Sequence, residues 1–249
     1  MSGQAVKRAG AGTGHEATSD ASVRLLSTSA GHPQVMPGLW WRRGLYRVAH
    51  FATMVPMVLA WRVRAWGLND VPDQGPVLFV GNHQSFLDPA VFGYVMHWRL
   101  FHPLARKSLW QPGLGWVLDW IHAVPLERGE ADMRAVKRCI QLLNAGSTVL
   151  VYPEGTRSPD GQVMPFKSGL MLLVRRARPR IVPVAIEGSH AAWPRGQTLP
   201  RTGRIGLMFD KPIEPEQLLE LEPEHATAMM RQRIIALKQA LATRLRRYD

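Results

Sequence analysis

The sequence has little cysteine and lacks the apolar stretch that opens a secreted protein. Its 249 residues contain one cysteine, Cys139, so no disulfide can form within the chain. Nothing therefore indicates an oxidising compartment. Residues 1–37 are rich in Gly, Ala, Ser and Thr, and they offer only Val23-Arg24-Leu25-Leu26 where a secretion signal needs an apolar core of about 7–15 residues. We expect no secretion signal and predict a disordered tail over residues 1–37.

Long hydrophobic runs are also missing. Residues 48–61 carry no Lys, Arg, Asp or Glu, but this span of 14 residues is shorter than the roughly 20 that cross a bilayer. Pro56 is expected to kink a helix there. Trp40 and Trp41 before the span, and Arg62 after it, are residue types that anchor at a lipid–water interface. The pattern predicts a membrane-associated helical segment over residues 38–68, lying in one leaflet; the alternative is a buried core helix.

Acidic residues are scarce relative to basic ones. Lys and Arg number 31 against 19 Asp and Glu, which gives a net charge of +12 and a pI near 10.8. Such an excess suits nucleic acid, an anionic membrane surface or a phosphorylated substrate. Nine tryptophans favour the membrane surface. Because no zinc-finger spacing or RNA-binding signature is present, we expect no nucleic-acid partner, and no clustered ligands indicate a metal site.

From residue 69 onward the apolar pattern predicts an α/β protein. Short apolar runs typical of strands alternate with helical patterns, and this alternation predicts a sheet with helices packed against it. The predicted strands are Val77–Val80, Val149–Val151, Ile181–Ile186 and Ile205–Phe209. The predicted helices are Pro89–Met96, Gly113–Ile121 and Ala131–Leu143, followed by an amphipathic helix from about Pro223 to Arg247 with a solvated basic face.

A histidine and an aspartate follow the first of these strands, in Asn82-His83-Gln84-Ser85-Phe86-Leu87-Asp88. A neutral imidazole can take a proton from a hydroxyl, and a carboxylate on its other nitrogen fixes the tautomer. We predict that a helix opens after Ser85, its N-cap, so that Asp88 folds back toward His83. The spacing alone is a weak motif, because His15 and Asp20 share it in the tail.

A second polar loop follows the strand at Val149–Val151. It reads Tyr152-Pro153-Glu154-Gly155-Thr156-Arg157-Ser158. Arg157 has the planar fork that binds phosphate through two hydrogen bonds. Glu154 has two interpretations, as an acceptor from a substrate hydroxyl or as a partner that orients Arg157. Taken by itself, the loop is equally well explained as a turn with a surface ion pair.

Together the two loops resemble those of the glycerolipid acyltransferase family, the 1-acylglycerol-3-phosphate acyltransferases. Further blocks occur in the family's order: the run 105–115 beginning Ala105-Arg106-Lys107-Ser108, then Val124–Arg128, then Ile181–Ile186. The resemblance covers about residues 69–209 and is specific because the blocks are ordered. The chain departs from the family pattern at Ser108, where a glutamate is usual, and at Ala123, where a glycine often stands.

The resemblance implies a fold, a reaction and a set of roles. The fold is a mixed central sheet flanked by helices, and residues 69–249 form the acyltransferase domain. His83 is the general base and Asp88 orients it. Arg157 and Lys107 bind the acceptor's phosphate, and Glu154, Gly155 and Thr156 shape that site. Arg128 either adds positive charge there or pairs with Glu127 or Glu130.

The resemblance also implies substrates and a location. The donor is acyl-CoA or an acylated acyl carrier protein, used as a co-substrate with no further cofactor. The acceptor is a membrane lysophospholipid, first 1-acylglycerol-3-phosphate and alternatively another lysolipid such as lyso-ornithine lipid. The location is the cytoplasmic face of the inner membrane, with monotopic or peripheral attachment. A catalytically inactive membrane scaffold is the competing class, and the presence of both polar loops argues against it.

Overall fold

The computed structural model describes residues 55, 57–112, 115–127 and 133–247. The tail predicted for residues 1–37 and most of the segment predicted for residues 38–68 lie outside these residues. Within the described ranges, no helix combines the length and the apolar character needed to cross a membrane. The tail and the membrane-associated segment therefore stay predictions.

One mixed sheet organises the described part of the chain. Its strands are β1 (Arg64–Trp66), β2 (Val77–Gly81), β3 (His102–Arg106), β4 (Val124–Leu126), β5 (Thr148–Val151), β6 (Arg180–Glu187) and β7 (Gly206–Phe209). Their spatial order is β1-β7-β6-β2-β5-β3-β4. Strand β7 is antiparallel to β6, and all other neighbours are parallel. The expected mixed sheet is thus confirmed.

Strand β2 lies in the middle of this sheet, between β5 and β6. All of its residues are buried, and it carries no polar alternation because helices cover both faces of the sheet. On one face, Phe79 packs edge-on against Phe92 and Phe209, with ring centroids 5.0 and 6.0 Å away. Leu78 and Val80 enter the core on the opposite face. The strand therefore holds both halves of the core together.

Helices flank the sheet on both sides, as the alternating pattern predicts. They are α1 (Asp88–Val95), α2 (Gly115–Trp120), α3 (Met133–Asn144), α4 (Gly169–Ala177), α5 (Ser189–Ala192), α6 (Pro215–Leu219) and α7 (Pro223–Arg246). Helix α1 packs into the core around Phe79, whereas α3, α4 and α7 share the core around Leu78. The layers place the strand ends, and the loops that leave them, at the rim of the sheet.

The four strands predicted from apolar runs are confirmed, but three strands are missed. Strands β1 and β4 are three residues long, and β3 and β4 each contain a proline. Proline removes a ladder hydrogen bond and weakens the strand signal of a short run, whereas the longer apolar run of β6 predicts a strand despite Pro183. Pro125 is tolerated because β4 is at the edge of the sheet.

The position of β1 corrects one predicted boundary. The sequence assigns residues 38–68 to a membrane-associated segment and starts the acyltransferase domain at residue 69. Instead, Arg64–Trp66 pairs in parallel with Gly206–Met208 and belongs to the sheet. The sheet therefore begins before residue 69, because backbone pairing to β7 outweighs the low strand signal of an Arg-Ala-Trp segment.

The C-terminal helix α7 is amphipathic as expected. It buries Ala226, Met230, Ile234 and Leu241, and full burial of a side chain as large as Met, Ile or Leu contributes about 1.5–3 kcal/mol to stability. Its predicted solvated basic face is only partly correct. Arg231 donates to the carbonyls of Val163 and Met164, and Arg233 binds Asp210. These two arginines therefore hold neighbouring loops rather than facing water alone.

Gly67 is a glycine whose replacement the fold tolerates poorly. It has a φ of 78°, and an added Cβ would lie 2.1 Å from the carbonyl oxygen of Phe209. Gly146 has a φ of 80° but no atom within 4 Å of an added Cβ. We expect Gly146→Ala to cost about 1–2 kcal/mol through backbone strain alone, and Gly67→Ala to cost at least about 2 kcal/mol more. Urea unfolding of both variants measures this difference; equal losses would contradict the close approach to Phe209.

Candidate active site

The site lies at the carboxyl ends of the parallel strands. Strand β2 ends at Gly81, and its neighbour β5 ends at Val151. The two polar loops that follow them meet, because neighbouring parallel strands deliver their exits to the same edge. Asn82 starts the first loop by continuing the β2–β6 pairing with its side chain. Its Oδ1 accepts the Ile186 N–H at 2.8 Å, and its Nδ2 donates to the Ile186 carbonyl at 2.9 Å.

The carboxylate of Asp88 collects hydrogen bonds from the whole loop. Its Oδ2 lies 2.7 Å from His83 Nδ1 and accepts the backbone N–H groups of Gln84 and Ser85 at 2.7 and 2.8 Å. Its Oδ1 accepts the Ser189 hydroxyl at 2.5 Å. Asp88 is fully buried, so four donors offset the loss of water around its charge. The expected return of Asp88 to His83 is confirmed.

The predicted N-cap role of Ser85 is wrong. Helix α1 begins at Asp88, and the residue preceding it is Leu87. The Ser85 hydroxyl donates to the Trp193 carbonyl at 2.8 Å and accepts the Leu87 N–H at 3.2 Å. The Ser85 hydroxyl instead ties the loop after β2 to the segment after β6 through the Trp193 carbonyl.

His83 is held in a form suited to accept a proton. With Nδ1–H donating to a carboxylate, the lone pair is on Nε2, and 20% of the side chain is exposed. Among the described residues, no hydrogen bond engages Nε2. The arrangement can therefore take a proton from a hydroxyl group that reaches Nε2 from solvent.

The backbone of His83 is clamped by the loop after β5. Glu154 Oε1 accepts the His83 N–H at 2.8 Å, and the Ser158 N–H donates to the His83 carbonyl at 2.8 Å. The ring of Tyr152 stacks on the imidazole, with centroids 4.3 Å apart and planes 12° apart. The sequence does not predict these contacts, because the two motifs are distant in the chain and neither indicates which atoms of the two loops bind each other.

Glu154 has a different place from the one predicted. The sequence makes it a substrate-binding residue, but it is 3% exposed and both of its oxygens bond backbone groups. Oε2 accepts the Met164 N–H at 3.1 Å, while Oε1 accepts that of His83. Burial raises its pKa to about 7, against the pull of these two donors. Glu154 therefore holds the backbone of His83 through a hydrogen bond to its N–H.

Arg157 lies at the open rim of the site. Its Cζ lies 3.5 Å above the centroid of the Phe86 ring, and its buried Nη1 has no hydrogen-bond partner within the described residues. Burial, then Arg195 and Arg106, lower the pKa of its guanidinium. Arg106 donates to the Thr156 hydroxyl at 3.1 Å. Three guanidinium groups thus share this rim, of which the motifs had indicated one.

Lys107 lies beside this rim but is engaged elsewhere. Its Nζ donates to Glu127 Oε1 at 2.8 Å, and Arg134 binds the other oxygen of Glu127. An open cleft of about 400 Å³ is lined by Arg106, Lys107, Ser108, Leu126 and Glu127. The predicted binding of the acceptor's phosphate by Lys107 stays a prediction: here its amine pairs with Glu127 on the cleft wall. Arg128 lies outside the described residues.

Gly155 and Thr156 each have a defined place in the loop, and their predicted role in the acceptor site stays a prediction. Gly155 has a φ of 69°, and an added Cβ would lie 2.8 Å from the Lys167 side chain. The Lys167 N–H donates to the Pro153 carbonyl at 2.9 Å and closes the loop. Thr156 fixes Arg106. The loop is thus closed on itself, and its Thr156 hydroxyl binds Arg106.

The site and its scaffold define a class of enzyme. A histidine held in one tautomer by a buried carboxylate, open at Nε2 and at the exit of a parallel strand, is suited to transfer a group to a hydroxyl. The sequence model of the acyltransferase family matches residues 62–187, and the chain belongs to that family. The matched range runs from β1 through β6 and contains both polar loops.

Individual relatives agree with this assignment. The chloroplastic 1-acyl-sn-glycerol-3-phosphate acyltransferase of Arabidopsis thaliana is 29% identical over 199 residues, 78% of this chain and 55% of that protein. The Bacillus subtilis 1-acyl-sn-glycerol-3-phosphate acyltransferase is 24% identical over 82% of this chain and 97% of its own length. The crystal structure of the Thermotoga maritima 1-acyl-sn-glycerophosphate acyltransferase PlsC matches with a TM-score of 0.68 and 27% identity, over 79% of this chain and 78% of that one. The chain spans about half the length of the plant relatives it matches.

Replacing Asp88 by Asn tests the histidine–carboxylate pair. An amide cannot accept from Nδ1–H on its nitrogen side, and it favours the tautomer with its proton on Nε2. We expect kcat for acyl transfer to fall about 10³–10⁴-fold, with a small change in acceptor KM. Ser189→Ala removes one bond to the same carboxylate and is expected to lose far less. Steady-state kinetics with circular dichroism as a folding control measure this, and an unchanged kcat in Asp88→Asn would refute the pair.

Proposed function

We propose that this protein transfers an acyl chain from an acyl thioester to the free hydroxyl of 1-acylglycerol-3-phosphate, producing phosphatidic acid. The observation that carries the proposal is the open Nε2 of His83 beside a rim of three guanidinium groups. The base suits a hydroxyl acceptor, and the cations suit an acceptor that bears a phosphate. The printed names of the relatives from Arabidopsis and Bacillus point to the same acceptor.

The reaction follows from the position of His83. Nε2 removes the proton of the acceptor hydroxyl as its oxygen attacks the thioester carbonyl. The new C–O bond forms, the tetrahedral intermediate collapses, and the C–S bond breaks. The departing thiolate takes the proton from the imidazolium, so His83 returns to its starting form. Asp88 stabilises the imidazolium through Nδ1–H while the proton is held.

Direct transfer fits the nucleophiles near the site. An acyl-enzyme would require a reactive serine or cysteine. The Ser85 hydroxyl is already engaged with the Trp193 carbonyl, and Cys139 is buried in the core with its pKa raised to about 12 by that burial. A thiol with such a pKa is not a thiolate near neutral pH. The acceptor hydroxyl itself is therefore the nucleophile in this proposal.

The guanidinium groups supply the acceptor's anchor. Arg157 packs over the Phe86 ring, and its buried Nη1 has no hydrogen-bond partner among the described residues. Arg106 at the end of β3, and Arg195 in the segment after α5, add positive charge near Arg157. Guanidinium groups form charge-assisted, bidentate bonds with phosphate. In this proposal Arg106 and Arg195 join Arg157 at the phosphate, beside the Lys107 predicted from the sequence.

The donor and the location are part of the proposal. The donor is a thioester of coenzyme A or of acyl carrier protein, both of which are anionic carriers that suit a chain with a net charge of +12. Because lysolipid and product reside in a bilayer, we place the enzyme at the cytoplasmic face of the inner membrane, attached in a monotopic or peripheral manner. The segment predicted over residues 38–68 would supply the anchor.

An acceptor panel tests the proposed function. Wild type and His83→Ala are assayed with labelled acyl-CoA and acylated carrier protein against 1-acylglycerol-3-phosphate, lyso-ornithine lipid and uncharged monoacylglycerol. We expect wild type to make phosphatidic acid and His83→Ala to lose transfer while keeping its fold and membrane binding. Product from lyso-ornithine lipid alone would refute the proposed acceptor and point to Ser108. Normal turnover by His83→Ala would refute the mechanism.

A variant of Arg157 tests the phosphate anchor. Losing one charge-assisted bidentate contact costs about 1.5–3 kcal/mol, so Arg157→Ala is expected to raise KM for 1-acylglycerol-3-phosphate about 10- to 100-fold. Its KM for an acyl thioester donor should change much less. Arg176→Ala is a matched control, since Arg176 is an exposed arginine in α4. An acceptor KM equal to that of the control would place the phosphate elsewhere.

A further inference from the structure

Arg231 lies in the C-terminal helix, far along the chain from both polar loops, yet it reaches toward the site. Its Nε donates to the Met164 carbonyl at 3.0 Å, and its Nη2 donates to the Val163 carbonyl at 2.7 Å. The guanidinium is partly buried and bidentate, so it fixes the direction of these two peptide groups. Val163 itself is buried in the core. The loop that leaves Ser158 is thereby attached to α7.

The peptide held by Arg231 holds Glu154 in turn. The Met164 N–H donates to Glu154 Oε2 at 3.1 Å, and Glu154 Oε1 accepts the His83 N–H at 2.8 Å. A continuous path of hydrogen bonds therefore leads from Arg231 through Met164 and Glu154 to His83. Each group in this path is buried or partly buried, where hydrogen bonds are stronger than in water.

Charge gives this path a second link. The ionised carboxylate of Glu154 accepts on both oxygens, whereas a protonated carboxyl places a hydroxyl on one of them and cannot serve two N–H donors equally. Asp88 on α1 and burial both favour the protonated form, and Arg231 on α7 favours the ionised form together with the two N–H groups. The positive charge of Arg231 thus helps Glu154 to keep both bonds.

We propose that Arg231 is a positioning residue for acyl transfer, which holds the catalytic His83 in place through Met164 and Glu154. The proposal rests on the proposed function for its kinetic readout but not for its structural one. Arg231 does not touch substrate. It fixes the peptide group that binds the Glu154 carboxylate, and its positive charge is one of the influences that favour the ionised form of that carboxylate.

Arg233 provides a matched control. It lies on the same helix, is partly buried and binds an acidic side chain through its Nε, but its partner is Asp210 after β7. Arg233→Gln removes an arginine and its ion pair with Asp210, but it leaves the hydrogen bonds from Arg231 to His83 in place. A general loss of α7 packing would therefore affect Arg231→Gln and Arg233→Gln alike, and a positioning effect would appear in the first alone.

The kinetic test follows kcat and acceptor KM between about pH 6 and 9 for Arg231→Gln, Arg231→Lys and Arg233→Gln. We expect Arg231→Gln to lower kcat about 10- to 100-fold near pH 7, with acceptor KM unchanged. Loss of the positive charge raises the pKa of Glu154, so activity should recover at higher pH and the acid limb should move upward. Arg231→Lys keeps the charge and should restore part of kcat. In a Glu154→Gln background, Arg231→Gln should cause no further shift of that limb.

Hydrogen exchange provides a test that needs no substrate. Exchange of the peptide covering residues 80–88, measured by mass spectrometry, is expected to be faster in Arg231→Gln than in wild type or Arg233→Gln. Equal exchange and equal pH profiles in the two arginine variants would overturn the proposal even if wild type makes phosphatidic acid. Faster exchange with no transfer to any lysolipid would instead support the path and refute the proposed function.

Discussion

The buried carboxylate of Asp88 is the constraint on which the site depends. A charge without water requires donors around it, and here they come from the His83 ring, two backbone N–H groups and the Ser189 hydroxyl. Those donors belong to the loop after β2 and to the segment after β6. Satisfying one carboxylate therefore forces two chain segments together and fixes the tautomer of the base at the same time.

The parallel sheet explains why residues so distant in sequence converge. Strands β2, β3, β5 and β6 all release the chain at the same edge, so His83, Arg106 and Arg157 arrive at one rim without any local signal for it. Burial on both faces leaves that edge as the place where polar groups meet solvent. The antiparallel β7 and its neighbour β1 complete the sheet on the side away from β5.

Local features of this protein could be predicted from the sequence, and distant ones could not. The apolar runs of β2 and β6 and the return of Asp88 to His83 depend on neighbouring residues, so periodicity and spacing indicate them. The short strands β1 and β4 form because partners are available, despite an arginine in one and a proline in the other. The ion pair of Lys107 with Glu127, and the contact of Arg231 with Val163, depend on tertiary packing that no pattern in the sequence encodes.

The stack of Arg157 on Phe86 has a consequence for regiochemistry. A guanidinium packed over a ring is held in place and offers a planar fork of donors, whereas a lysine at this place would be a point charge with no preferred direction. If an acceptor binds there through an anionic group, the distance and direction from that group to its hydroxyl decide whether the hydroxyl reaches His83. Positional isomers of equal charge would then differ in rate, because only one of them brings its free hydroxyl to Nε2.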